Sequence, residues 1–286
     1  QRQMCIRDRS GRNSCLERTV CMSICIIGCG AMGGAILSGC LSKGLWKKEE
    51  VFLKEHSTEA GRKKAELYGV NVLEKPEDIS TAELVILAVK PSVIPQVLKE
   101  IAPFHPQRVI SIAAAVTVKM LETALPEGTE VIRGLPNTPA SAGGGMTAVT
   151  AGHFVTEGFL KEAEAIFSAL GKTAVVPERE LDVLGALSGA GPGYAFIIID
   201  ALSDAGVRAG LSRKLATEAA AQTLYGAAKM VLETGKHPGE LRDMVTSPGG
   251  TTIAGIHVME RAGIRGILMD AVLSALEKSD EMSKKE

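Results

Sequence analysis

The apolar positions of this chain follow two different rhythms. Up to Val176, short apolar runs of buried-strand type alternate with stretches of helical spacing. The strand-like runs cover 23–27, 51–53, 70–73, 83–89, 108–112, 130–133, 146–150 and 173–176. Between them, apolar residues at helical spacing predict helices after Gly33 (Ala35, Ile36, Leu37, Leu41, closing at Gly44) and over 58–68, 93–102, 118–124 and 157–170, with a brief turn at 76–79. After Pro177 the strands stop. Helices are predicted over 178–188, 193–209, 213–234, 238–245, 252–262 and 264–282, with Gly210, Gly235 and Gly263 as stops and Ser212 as an N-cap. The pattern divides the chain into an α/β domain over 22–176 and an all-α domain over 177–286.

The first strand runs into Gly28-Cys29-Gly30-Ala31-Met32-Gly33, and a helix and a second strand follow. In that setting a G-x-G-x-x-G is a dinucleotide-binding turn of Rossmann type. The first glycine permits the tight turn, the second lets backbone approach a pyrophosphate, and the third lets helix and strand pack closely. At the end of the second strand, Glu55 stands 22 residues after Gly33, where a carboxylate would meet the ribose 2′-hydroxyl of NADH. Lys54, His56, Ser57 and Arg62 could instead receive the 2′-phosphate of NADPH, so the choice stays open. Ala88, Val89, Lys90 and Pro91 end the next buried strand, and Ile112, Ala113 and Ala114 end the one after it. Both ends are expected to line the cofactor crevice. Asn137, in the turn 136–139, either donates to a ligand or caps its own turn.

Composition narrows the function. A net charge of −1 and 3% aromatic residues give no basic surface and no stacking platform for nucleic acid. The longest apolar run, 194–202, is interrupted by Asp200 and falls short of a membrane span. All 6 cysteines lie at or before Cys40, spaced neither as a disulfide framework nor as a zinc site, which predicts a reduced, cytoplasmic protein without a metal. Residues 1–21 are Arg-rich and aperiodic. They are expected to be a disordered or read-through extension, with Met22 as the natural start.

One stretch in the helical half carries chemistry: 245–252, Val-Thr-Ser-Pro-Gly-Gly-Thr-Thr. Pro248 ends one helix, Gly249 and Gly250 can turn backbone N–H groups toward one point, and Thr251 or Thr252 is expected to cap the next helix. An open helix N-terminus beside hydroxyls suits a small carboxylate or phosphate. Taken alone, the stretch is equally a plain helix connection.

The chain resembles the pyrroline-5-carboxylate reductases over 22–286. The resemblance rests on 26–33, 88–91, 136–139, 188–196 and, above all, 237–252. It implies NAD(P)H-dependent reduction of the cyclic imine 1-pyrroline-5-carboxylate to L-proline, with an α-helical dimerisation domain following the Rossmann domain. Interleaved dimers that assemble further into decamers are implied as well. Gly28 to Gly33, Glu55, Ala88 to Pro91 and Ile112 to Ala114 then bind the cofactor. Ser247, Gly249, Gly250, Thr251 and Thr252 bind the substrate carboxylate, Glu178 is the acidic substrate-binding residue, and Thr251 sets its hydroxyl near the imine nitrogen. Some relatives carry one more residue in this turn, which leaves Thr251 and Thr252 both open for that role. His237 and His257 are candidate proton carriers, read first as a residue near a helix start and a residue packing on a helix. The rival reading is a β-hydroxyacid dehydrogenase, which needs a lysine on the first long helix of the helical domain, and 193–209 has none.

Overall fold

A computed structural model describes residues 24–283; the expectations for 1–21 and for Met22 lie outside them. Eight strands form one sheet: β1 (Ile24–Ile27), β2 (Val51–Lys54), β3 (Asn71–Val72), β4 (Leu84–Leu87), β5 (Arg108–Ser111), β6 (Glu130–Leu135), β7 (Gly145–Ala151) and β8 (Gly171–Val175). Their order is β3-β2-β1-β4-β5-β6-β7-β8, and all neighbours are parallel except β6 and β7. Each of the eight strand-like runs forms a strand.

Five helices cover the sheet: α1 (Ala31–Ser42), α2 (Thr58–Tyr68), α3 (Ile94–Ile101), α4 (Val118–Ala124) and α5 (Glu157–Ser168). Successive strand residues point to opposite faces, so the sheet has two cores. Ile24 and Ile26 pack with Ile36, Leu37, Phe159 and Phe167 on one face. Cys25 and Ile27 pack with Ile94, Leu98, Ile101 and Leu121 on the other. Burial on both faces explains why β1 and β4 read as unbroken apolar runs rather than as alternation.

The remaining described residues are helical: α6 (Glu178–Leu184), a π turn (Gly185–Gly189), α7 (Ala190–Arg208), α8 (Arg213–Thr234), α9 (Pro238–Met244), α10 (Thr251–Arg261) and α11 (Ile264–Ser283). Glycines in left-handed geometry follow α8 and α10, Gly235 at φ 65° and Gly263 at φ 76°. The break expected near Ser188 is absent, because the chain runs helically from Glu178 to Arg208 for 31 residues. That run is long and apolar enough to cross a membrane by length and composition, and Asp200 lies within it.

Two side chains bolt this helix to the sheet. Arg133 on β6, 1% exposed, pairs with Glu178 at 3.0 Å and Asp182 at 2.7 Å. Glu178 Oε1 also accepts from the Val118 N–H at 2.7 Å, which ties the start of α6 to the start of α4. Asn137 Nδ2 donates to the Ser188 carbonyl at 2.9 Å, while its Oδ1 accepts from the Met146 N–H at 2.9 Å. In α-helical register the Ser188 carbonyl would take the N–H of residue 192, and Pro192 has none. The π turn and the Asn137 amide together accommodate the proline inside the helix. Both ends of the Asn137 side chain are therefore used within the fold, in keeping with the structural alternative for it.

Removing the Arg133 guanidinium leaves two half-buried carboxylates without their shared partner. About 3–5 kcal/mol is typical for breaking a fully buried pair. Because the carboxylates here are each about one-third exposed, Arg133→Ala is expected to cost about 2–3 kcal/mol. Urea unfolding of the variant checks this, and an unchanged midpoint refutes it.

Candidate active site

Parallel register brings the expected cofactor segments into one row. Ile27 pairs with Lys54 on one side and Leu87 on the other, and Leu87 pairs with Ser111. The next residues, Glu55, Gly28, Ala88 and Ile112, therefore stand side by side at the carboxyl end of the sheet. Hydrogen bonds continue the ladder one step past the strands: Gly28 N–H to Lys54 at 2.8 Å, Ala88 N–H to Ile27 at 2.8 Å and Ile112 N–H to Leu87 at 3.0 Å. Strand order reverses between β1 and β4, the crevice where open α/β sheets bind ligands.

Each glycine of the turn has its own reason. Gly28 sits at φ 88°, and a Cβ there would meet Val89 Cγ1 at 2.6 Å and the Ala88 oxygen at 2.8 Å. At Gly33 a Cβ would overlap the Gly28 carbonyl oxygen, so only glycine lets α1 pack this close. Around Gly30, by contrast, a Cβ would find nothing within 4 Å. Gly30 is the N-cap of α1 and supplies no side-chain cap, which leaves the first N–H groups of Ala31, Met32 and Gly33 without a capping side chain. This cradle of free N–H groups fits a pyrophosphate.

The remaining cofactor candidates differ in exposure. Cys29 is buried, and burial outweighs the nearby Lys64 and pushes its thiol up to about 11, with Glu55 adding to the rise. Ala88, Val89 and Pro91 are half-buried and Lys90 exposed. Ile112 is half-buried, Ala113 buried and Ala114 exposed. Ala115 follows in left-handed geometry at φ 62°, unusual for a residue with a Cβ, and no sequence signal marked it. Glu55 is 8% exposed. Its Oε1 accepts from the Cys29 N–H at 2.6 Å and from Lys64 at 2.6 Å. Burial works to raise the carboxyl, but those two bonds and the nearby Lys64 and His56 charges outweigh it and hold it below the usual carboxylate range. A cavity of ≈ 190 Å³ opens beside it, lined among others by Lys54, His56, Ser57 and Pro76. Sequence reading missed Lys64, whose only signal was its place one turn from the end of α2.

The second cluster surrounds the turn between α9 and α10. His237 is the N-cap of α9, its Nδ1 accepting from the Gly239 N–H at 3.0 Å, as its place near a helix start suggests. His257 lies exposed on α10 rather than packed on a helix. The Gly250 N–H bonds the Ser247 carbonyl at 3.0 Å, closing a turn with Pro248 and Gly249 at its centre and Gly249 at φ 67°. Gly250 has an ordinary φ of −75° and is itself the N-cap of α10, so neither Thr251 nor Thr252 caps the helix as expected. The lack of a Cβ at Gly250 leaves room for the Ser247 hydroxyl, which a Cβ there would overlap and turn aside. That hydroxyl therefore lies over an uncapped helix N-terminus. Thr251 and Thr252 are the first two residues of α10 and are exposed, with no carbonyl one turn back inside α10 to take their hydroxyls. The ordinary fate of a helical threonine is shown by Thr223, which bonds the Ala219 carbonyl at 2.7 Å.

Within one chain this turn is open on its outer side. Met244, Val245, Ile253, Val258 and Met259 around it are exposed, as are Phe196, Ile197, Tyr225, Leu232, Ile267 and Leu273 on the neighbouring helices. Glu178, the expected acidic substrate residue, lies at the sheet junction described above and not beside this turn's helices α9 and α10.

Known proteins share this fold and much of this sequence. Residues 178–282 match the family model described as pyrroline-5-carboxylate reductase dimerisation, and residues 23–115 match that described as NADP oxidoreductase, coenzyme F420-dependent. A pyrroline-5-carboxylate reductase of Methanosarcina acetivorans is 43% identical over 269 residues, covering 91% of this chain and 97% of the relative. The solved pyrroline-5-carboxylate reductase of Coxiella burnetii superposes with a TM-score of 0.84 at 33% identity, covering 91% of this chain and 98% of its own. A Plasmodium falciparum pyrroline carboxylate reductase solved with NADP bound gives 0.80 at 29% identity, covering 92% and 98%.

Burial and the raised pKa make Cys29 a poor nucleophile. Iodoacetamide at pH 8 is expected to leave it unlabelled in the native protein and to label it in urea, read by peptide mass spectrometry; native labelling refutes this.

Proposed function

The chain belongs to the pyrroline-5-carboxylate reductase family, and from that premise we propose how its residues divide the NAD(P)H-dependent reduction of 1-pyrroline-5-carboxylate to L-proline. The observation that carries the assignment of residues is the Ser247 hydroxyl seated over the uncapped start of α10. A carboxylate held there meets free N–H groups, the positive end of the helix and up to three hydroxyls at once. Ser247, Gly249, Gly250, Thr251 and Thr252 form this clamp, and it fixes the ring of the substrate against the crevice at Gly28, Ala88 and Ile112.

A reduced nicotinamide supplies the hydride that the imine carbon takes up. The imine nitrogen must carry a proton for the carbon to accept that hydride, and the product is then a secondary amine. Such a reaction needs orientation and a hydrogen-bonding partner at nitrogen more than it needs a covalent nucleophile. Thr251 is assigned that position, with Thr252 one residue further into the helix as the alternative. Glu178 contributes by position: through Arg133 and the Val118 N–H it sets α6 against the sheet. α7 carries no lysine, which argues against the β-hydroxyacid dehydrogenase chemistry.

Self-association follows from the dimerisation domain. Our reading goes further and makes the site composite, the clamp of one subunit closing over the sheet end of its partner in an interleaved dimer, with decamers as the larger assembly. The broad exposed apolar surface of α7 to α11 supports it. We place the enzyme in the cytoplasm and off the membrane. Cys25, Cys29 and Cys40 support this as buried free thiols.

Thr251→Ala is expected to lower kcat by about tenfold to a hundredfold with the circular dichroism spectrum intact. Gly250→Val should mainly raise KM, by displacing the Ser247 hydroxyl. Loss of nicotinamide absorbance with pyrroline-5-carboxylate reports both, and wild-type rates from both variants would sink the assignment of this turn.

A further inference from the structure

The end of β2, the loop after it and α2 hold the charges that the sequence offers to the adenosine ribose, with Lys64 beside them, and the structure commits those charges unevenly. Lys54 lines the cavity but is paired with Glu100 on α3 at 2.6 Å. Arg62 is not among the residues lining the cavity and pairs with Glu74 at 2.9 Å. Lys64 is spent on Glu55 at 2.6 Å. Ser57 caps α2, its hydroxyl accepting from the Ala60 N–H at 3.2 Å. His56 is 83% exposed at the rim. No cation that the sequence offers to a 2′-phosphate is thus both inside the pocket and uncommitted, the exposed His56 aside.

Glu55 stands in the opposite condition. It is the buried group of the set, adjacent to Gly28 in the sheet-end row and anchored to the loop through the Cys29 N–H. Both of its hydrogen bonds fall on Oε1. Oε2 takes neither of them, and its ion pair with His56 Nδ1 at 3.7 Å is beyond a hydrogen bond. That oxygen is an acceptor suited to a ribose hydroxyl and hostile to a phosphate dianion. The Lys64 charge is already balanced by Glu55, so a second and larger negative charge would enter a pocket with no net positive charge left to meet it.

We infer that Glu55 is the specificity residue of the cofactor site and that this chain takes NADH in preference to NADPH. The inference rests on the dinucleotide-site reading above and adds the choice between the two reductants. The test is a binding titration without substrate, following reduced-nicotinamide fluorescence on the full chain with NADH and with NADPH. Wild-type protein is expected to bind NADH at least about tenfold tighter. Glu55→Ser should narrow the ratio to within about threefold, weakening NADH and strengthening NADPH. Glu55→Gln keeps an oxygen for the Cys29 N–H and so preserves the loop. It should move the ratio the same way, which separates the charge from any disturbance of the fold. Equal or tighter NADPH binding by the wild type, or a ratio unmoved in both variants, overturns the inference while leaving the dinucleotide site standing. Binding of neither dinucleotide by the wild type would overturn the site itself.

Discussion

The register of four parallel strands governs what this molecule can do. β2, β1, β4 and β5 are short, and the buried runs of β1 and β4 offer no polar residue to mark a position. A slip by one residue would turn every side chain of a strand to the wrong face of a sheet packed on both sides. Ile26 against α1 and Ile27 against α3 therefore fix the register through packing alone. Once it is fixed, the residues that follow the strands have no choice of neighbour. Glu55, Gly28, Ala88 and Ile112 are placed in a row by hydrophobic burial some distance from any chemistry. Gly28 and Gly33 are then the only residue type that the closeness of that row and of α1 allows.

The junction between sheet and helices obeys a different constraint. A single guanidinium 1% exposed faces two carboxylates, and its Nε lacks a hydrogen-bond partner. Such an arrangement adds little net stability over an apolar contact, but it is directional, and it is costly to break. With the Asn137 bridge to Ser188 it determines where the 31-residue helix leaves the sheet. The π turn contains the second anchor, Ser188, and immediately precedes Pro192, which would otherwise have kinked the helix away from the crevice.

Periodicity made the elements legible. Strands buried on both faces and helices with one buried stripe announce themselves locally, and Gly235 and Gly263 mark their stops. The glycine turn was equally readable, because strand, turn and helix are consecutive. What was not readable depends on distant pairing. Arg133 and Glu178 stand 45 residues apart, Asn137 and Ser188 51 apart, and Lys54 and Glu100 46 apart. No local pattern says that Lys54 is spent on Glu100 or that both ends of Asn137 are used. The turn at 247–252 was read in outline and misjudged in detail. Composition indicated an open helix start, but not that Gly249 supplies the left-handed geometry while Gly250 supplies only room. Nor did it show that the cap is a backbone without a side chain, which is what leaves the N–H groups free.

That freedom has a consequence for assembly. An uncapped helix start and unbonded hydroxyls are weakly held by their own chain. Here they are flanked by exposed apolar residues, Met244 and Val245 before the turn and Ile253 after it. Burying a large apolar side chain stabilises by about 1.5–3 kcal/mol, so in the interleaved dimer proposed above these residues would draw two copies together around the proposed carboxylate clamp. Association then does more than increase stability. In the proposed dimer it would also limit the turn's motion and exclude water from the clamp, which would strengthen the electrostatic hold of the helix end on a carboxylate. It also costs the clamp no polar partner, since the N–H groups of Thr251 and Thr252 had none to lose. Apolar pattern, helix cap and self-association are thus three expressions of one arrangement, in which packing builds the site and the ligand completes its hydrogen bonds.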